Sequence, residues 1–325
     1  MMKGREENKI KIDEKIKEGL KDQPQILMEY FAYLSNNGRD SAPSRLVFIN
    51  SAKRFCAWLK DNGFNVNRKN VFNSVTPGDI NRFFLEIGDG LKQKTKADYY
   101  VNIKLFFTFL FNMEYIKNNP FDGNKIPKQK YSQKENIVYL TKDEIVKVKN
   151  YIREYEDEEY KLVYETIFTL AYKTGIRITA LTEINISDIN IEDESIEVTD
   201  KENYTRDVFP GKNTMELIKE YLKWRNSLTI DSDALFVGRK TPCDEYSRIS
   251  YTRIHNMLKR AGKHIGKNIT PHKLRDTCAM LVYEDTHDIY LTGEVLGHKQ
   301  INNTRKYAKV TEQRRRETAN FLDNI

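Results

Sequence analysis

Apolar residues recur at helical spacing along most of this chain. Ile26, Leu27, Tyr30, Phe31 and Leu34 mark one face of a helix beginning after Pro24, and Asn36, Asn37 and Gly38 end it. Leu46, Phe48, Ile49, Phe55, Trp58 and Leu59 trace a second helix over about 44–62, with Gly63 as its stop. Thr76, Pro77, Gly78 and Asp79 open a third, Pro77 standing in the first turn where its missing N–H costs nothing. A long helix rich in Tyr and Phe starts near Thr95 and continues to the break at Asn118, Asn119 and Pro120. Aromatics at this spacing read as core. The period lapses over 121–137, a basic stretch with Pro and Gly that reads as an extended linker.

The period resumes at Thr141, which with Glu144 has capping-box spacing. Helices follow to about Tyr155 and over 158–173, up to a glycine break at Gly175. Residues 189–198 alternate apolar and polar, as a half-buried strand does. Lys201, Glu202 and Asn203 read as a turn, and 207–210 as the end of a returning strand. Helices fill most of the rest. The expected fold is therefore mainly α with a small antiparallel β-sheet. It has a charged N-terminal segment over 1–23 (a frayed or docking helix), a helical domain over 24–120, the linker over 121–137 and a second domain over 138–325.

Composition narrows the class. At 39% hydrophobic residues in 325, the chain can build two cores. No apolar run approaches a membrane span, and the first fifteen residues are too charged for a secretory signal. Cys56, Cys243 and Cys278 are odd in number and far apart, which argues for buried, inert thiols in a reducing, cytoplasmic setting. The charge is uneven: residues 1–137 carry a net +8, and the remainder a net −1. The first half is thus the better candidate for a polyanion footprint. Lys92, Lys94 and Lys96 at a helix start, and Lys125, Lys128 and Lys130 in the linker, are its candidate phosphate-binding residues; a merely solvated lysine surface is the alternative.

Candidate chemistry is concentrated further on. TGIR stands at 174–177, HKLR at 272–275, LGH at 296–298, and Tyr307 nine residues beyond His298. Arginine offers a planar, permanently charged fork suited to phosphate oxygens. A phenol, with an ordinary pKa near ~10, becomes a useful nucleophile only where cations and a base surround its target. Four separated motifs in this order, TGIR, Lys201 on the hairpin, HKLR, and LGH with Tyr307, resemble a tyrosine recombinase of the phage-integrase and Xer-type family, over roughly 24–310.

The resemblance implies a helical, SAM-like core-binding domain and a catalytic domain closing as a C-shaped clamp on double-stranded DNA. It implies catalytic Arg177, Arg275 and His298 around the scissile phosphate, and Tyr307 as nucleophile forming a 3′-phosphotyrosyl link. Lys201 would protonate the leaving 5′-oxygen, with Lys212 as fallback, and His272 would assist removal of the tyrosine proton. It implies a homotetramer on paired recombination sites, passing through a Holliday junction, with the tail from 311 exchanged between protomers. No cofactor, metal or membrane is implied, and the location would be the nucleoid in the cytoplasm. With fewer than 25 residues before the helical domain, a separate arm-binding domain is not expected.

Three departures from the family pattern stand out. Ala180 occupies a position that is often acidic, and Glu183 lies too far along to replace it. Asp276 follows the second arginine, where His is common. Asp200 and Glu202 flank Lys201, where glycines are usual. The expected role is integrase or transposase of a mobile element, with an Xer-like dimer resolvase as alternative. A strand-swivelling topoisomerase or a catalytically silent DNA-binding protein are the further alternatives.

Overall fold

The computed structural model describes residues 4–37, 41–128, 137–200, 204–230, 232–240, 245–308 and 323. The chain divides into two compact units, Met1–Lys134 and Glu135–Ile325, and the division falls inside the stretch read as a linker.

The first unit is helical. Its elements are α1 (Gly4–Glu18), α2 (Gln25–Asn36), α3 (Ala42–Asp61), α4 (Pro77–Gly88) and α5 (Gln93–Asn112). The capping box of Thr76 and Asp79 starts α4. A short 3-10 segment at Lys69–Ser74, which no apolar period announces, seats Phe72 in the core. Most aromatics of α5 are core, as the spacing suggested: Phe106, Phe107 and Phe109 are fully buried, whereas Phe111 is exposed. Phe106 packs edge-on against Tyr30 and Phe72, and Phe107 against Phe55, with ring centroids 5.1–5.7 Å apart, a geometry that adds electrostatic complementarity to large apolar burial. The charged N-terminal segment joins this core through Ile16 and Leu20. Asp13 holds the buried Arg45 of α3 by both carboxylate oxygens.

The second unit winds helices around α7. Its helices are α6 (Lys142–Tyr155), α7 (Glu158–Thr174), α8 (Ile178–Leu181), α9 (Lys212–Asn226), α10 (Tyr251–His264), α11 (Pro271–Thr286) and α12 (Ile289–Leu296). Thr141 and Glu144 form the capping box at the start of α6. Helix α7 packs on both α9 and α11, and its residues 166–171 are all buried, so the glycine break that follows it is placed by the centre of the core.

The sheet structure corrects the sequence reading twice. The alternating stretch 189–198 is not one strand. It is β1 (Ile189–Asn190) and β2 (Ser195–Thr199), antiparallel and joined by a tight turn. The Asn190 side chain accepts from the backbone N–H groups of Glu192 and Asp193, and Glu194 takes a left-handed φ of 50°. An Asx turn thus interrupts an alternation that spacing alone cannot distinguish from a continuous strand. The third strand, β3 (Thr205–Val208), returns along β2. A second hairpin, β4 (Val237–Lys240) with β5 (Glu245–Arg248), lies in a stretch read only broadly, as mostly helix. Its strands are too short to show a period.

Candidate active site

Two motif glycines explain how the site is assembled. Gly175 ends α7 with a left-handed φ of 63°, and a Cβ there would lie 2.6 Å from Leu296 Cδ2. Gly297 ends α12 with φ 65°, and a Cβ there would lie 2.4 Å from Arg206 Nε. Both positions therefore require glycine, for backbone conformation and for close approach. The first contact seats the turn before Arg177 on the turn before His298. The second seats the latter on β3.

Five of the residues singled out in the sequence line one cleft of about 550 Å³: Arg177, His272, Arg275, His298 and Tyr307, joined by Lys306. Arg177 caps α8. His272 and Arg275 lie on the first turns of α11, His298 just after α12, and Tyr307 at the end of a 3-10 turn, Arg305–Tyr307. Lys201 lies outside the described residues, as do Lys130, Cys243 and the tail from 311, apart from Asp323. Lys92, Lys94 and Lys96 belong to the first unit, at the N-cap and first turn of α5; Lys125 and Lys128 are exposed in that unit. Lys212 opens α9 and does not line the cleft. Cys56 and Cys278 are buried, and burial pushes both thiols up to about 12.

The cleft's electrostatics are set by few counter-charges. Arg275 is buried; its Nη1 donates to the Gly175 carbonyl at 2.6 Å, and its Nη2 has no hydrogen-bond partner among the described residues. Burial and the neighbouring Arg177 bring its pKa down to about 10. Burial, then Arg275 and Arg177, bring His298 down to about 4, so its imidazole is neutral at neutral pH. Its Nδ1 sits 2.8 Å from Thr304 Oγ1. With that hydroxyl donating, the ring proton is on Nε2, free to donate into the cleft. Burial also lowers His272, against an opposing pull from Asp276. The Tyr307 side chain is buried, and its hydroxyl donates to Asp276 Oδ1 at 2.5 Å. Burial first, then that carboxylate, raises the phenol well above its usual range. Lys306 donates to the same oxygen at 2.9 Å.

Asp200, the residue before Lys201, stands out in the sequence only as a neighbour of that lysine. It is instead a buried carboxylate bridging two arginines. Arg177 Nη1 donates to Oδ1 at 2.6 Å and Arg206 Nε to Oδ2 at 3.1 Å. Arg206 also donates to the carbonyls of Val295 and Leu296. One network thus ties hairpin, first arginine and histidine loop together, while Ala180 is buried and offers no carboxylate. Burial pushes Asp200 up, but hydrogen bonds and charge from Arg177 and Arg206 outweigh it and hold the carboxyl below the usual range.

Asp200→Ala should therefore destabilise the second unit by about 3 kcal/mol, the low end for one-sided removal of a buried ion pair because Arg177 is 31% exposed. Urea titration measures it. A depressed carboxylate stabilises fully above its unfolded pKa, near ~4, and loses that contribution as pH falls through its lower folded value. The parent and variant curves should converge in acid. A difference that persists there would assign the effect to packing.

Arg206, Asp276, Thr304 and Lys306 carry no motif of their own, and Asp276 is visible in the sequence only as a departure from pattern. Among the described residues, no group of three or more His, Cys, Asp or Glu could hold a metal ion. No helix there is long and apolar enough to cross a membrane.

The arrangement can hold a tetrahedral oxyanion between two guanidinium groups and a neutral imidazole, beside a phenol in contact with a carboxylate. A family model described as "Phage integrase family" matches residues 138–314. The tyrosine recombinase XerC of Vibrio vulnificus (strain YJ016) is 27% identical over 228 residues, 69% of each chain. Among solved structures, the XerH site-specific recombinase in a post-cleavage complex with a palindromic difH substrate superimposes with a TM-score of 0.69, at 20% identity, over 87% of this chain and 81% of that one. The Tn1549 transposon integrase in complex with a circular intermediate DNA gives a TM-score of 0.68, at 18% identity, over 91% and 99%.

Proposed function

Because this chain belongs to the phage integrase family, we propose that the cleft holds the scissile phosphate of a DNA recombination site and that Tyr307 attacks it. The chain is a tyrosine recombinase, which cleaves and rejoins DNA strands through a tyrosine nucleophile. One observation carries the assignment of residues. Arg275 lines the cleft, buried, with Nη2 lacking an acceptor among the described residues. A guanidinium N–H left dry and unpaired is costly, and a nonbridging phosphate oxygen relieves that cost. Arg177 and His298 Nε2 complete the donor set for charge developing on phosphorus. Lys201, next to the anchored Asp200, is the proposed acid for the 5′-oxygen.

The biological role follows from two supports of unequal weight. The sequence leaned toward a mobile-element integrase because of Ala180, Asp276 and the basic linker. Both departures have local accounts in the structure, since Asp200 supplies a carboxylate to Arg177 and Asp276 holds Tyr307. The relative named XerC supports an Xer-like resolvase acting on paired sites; the likeness to a transposon integrase keeps the mobile-element reading as the second. Assembly as a tetramer on double-stranded DNA, with the tail from 311 exchanged between protomers, is part of the same proposal.

The test is a DNA duplex nicked beside the cleavage point, so that the released fragment diffuses away and the covalent protein–DNA band accumulates. A band on such a substrate carries the assignment, and mapping it defines the site. Relaxation of any supercoiled plasmid without a site would point to a topoisomerase instead. A plasmid dimer with two copies of the mapped site should resolve to monomers if the role is Xer-like, whereas an integrase should join a circular element to a separate target.

The proposed DNA footprint of the first unit is tested independently. Replacing Lys92, Lys94 and Lys96 by Ala should weaken binding and flatten the slope of log affinity against log salt by roughly 3, about one for each phosphate the variant no longer neutralises. An unchanged slope would leave these lysines merely solvated.

A further inference from the structure

The geometry points to Asp276 as the group that takes the proton from Tyr307, an inference that rests on the proposed nucleophile and goes beyond it. The family resemblance assigns help with that proton to His272. In the structure the Tyr307 hydroxyl donates instead to Oδ1 of Asp276, at 2.5 Å, with both side chains buried. Reach comes first for a general base, and this carboxylate is already in hydrogen-bond contact with the proton it would accept. Lys306 Nζ lies 2.9 Å from the same oxygen. Its ammonium offsets the cost of burying the carboxylate and can stay hydrogen-bonded to that oxygen throughout the transfer.

The step balances as follows. The Tyr307 O–H bond breaks, its proton passes to Asp276 Oδ1, and the phenolic oxygen forms the bond to phosphorus. The bond from phosphorus to the 5′-oxygen breaks, and that oxygen takes a proton from the acid, Lys201 in the proposed reading. Rejoining reverses each transfer, with Asp276 returning its proton to Tyr307. His272, one turn before Asp276 on α11, is left to contact the phosphate. A phenol this deeply buried beside a carboxylate does not ionise on its own near neutral pH, because burial and the neighbouring charge both disfavour phenolate. Transfer in concert with attack removes that obstacle.

The other groups facing the pair are His272 and Arg275 on α11, Cys278 one turn on, Arg177, and Lys306 beside Tyr307. Burial holds His272 below the ordinary imidazole range and lifts Cys278 to about 12, so neither titrates between about pH 7 and 9. The informative quantity is the ratio of variant to parent cleavage rate, in which any other titrating group cancels.

Asp276→Asn keeps a carbonyl oxygen to accept the Tyr307 hydrogen bond and removes the ability to take its proton. Full-length parent and variant would be assayed on the nicked duplex, by the rate of covalent adduct formation, with DNA binding measured in parallel. The expected result is a decrease of about 10²-fold at neutral pH with binding unchanged. The ratio should recover toward unity as pH rises to about 9, because hydroxide then takes the place of the missing base. A variant as fast as the parent, or faster, would overturn the inference and make Asp276 a latch. A decrease constant with pH would reduce it to a structural role.

A parent that forms no adduct would instead remove the nucleophile assignment, and this inference with it.

Discussion

Tyr307→Phe should bind its DNA as the parent does and form no covalent adduct, a decrease on the order of 10⁴-fold or more, as expected when the nucleophile itself is removed. The substitution is mild for the fold. The ring stays in place, and only one hydroxyl goes, whose hydrogen bond to Asp276 is worth about 1–3 kcal/mol when an ionised acceptor is involved. Lys306 still pairs with that carboxylate in the variant, so the site is not left with an orphaned charge. Gel retardation and a denaturing gel on the nicked duplex, run side by side, check both halves. A band that survives the substitution would move the nucleophile to another of the 19 tyrosines. Disappearance of binding together with the band would mean that Tyr307 supports the fold and would leave its chemical role without support.

Arg275→Lys should slow cleavage by about 10²–10³-fold, the usual effect of removing one preorganised donor from developing oxyanion charge. Charge is retained, so the effect isolates the fork. The guanidinium has two tasks in the proposed reading: Nη1 ties to the Gly175 carbonyl, and Nη2, without a partner among the described residues, is the proposed donor to the phosphate. An ammonium gathers its three donors on one nitrogen at the end of a flexible stem, and lacks the fixed, separated donors that reach both groups. The rate constant under saturating DNA should fall more than affinity does, because the donor matters most as charge builds on phosphorus. An effect of less than about tenfold would give Arg275 a structural role, holding the end of α7. Thermal unfolding should show a small decrease from the missing hydrogen bond to Gly175 and provides the control for that role.

What could be read from the sequence divides by physical range. Helix faces in both units follow from local periodicity, and the capping boxes at Thr76 and Thr141 from spacing within one turn. Five residues lining the cleft, Arg177, His272, Arg275, His298 and Tyr307, were visible because the chemistry restricts residue type: few side chains can hold a phosphate or attack it. Their partners were not visible. Asp276 lies 31 residues from Tyr307, and Asp200 lies 23 from Arg177. No local rule links either pair. The sheet errors have a related cause. An Asx turn at Asn190 and a hairpin of four-residue strands leave too short a pattern to separate turn from strand.

The sequence by itself determined most of the helical segments, that two cores form, and that arginines, histidines and a tyrosine suited to an oxyanion occur in one order along the chain. Tertiary structure alone decided that Gly175 seats on Leu296 and Gly297 on Arg206, that Asp200 rather than a residue near Ala180 holds Arg177, and that the hydroxyl of Tyr307 meets Asp276. The reason is the reach of the forces involved. Periodic burial is averaged over many residues and survives local error. A hydrogen bond demands two atoms within about 3 Å at a set angle, and that distance exists only once separate elements have packed.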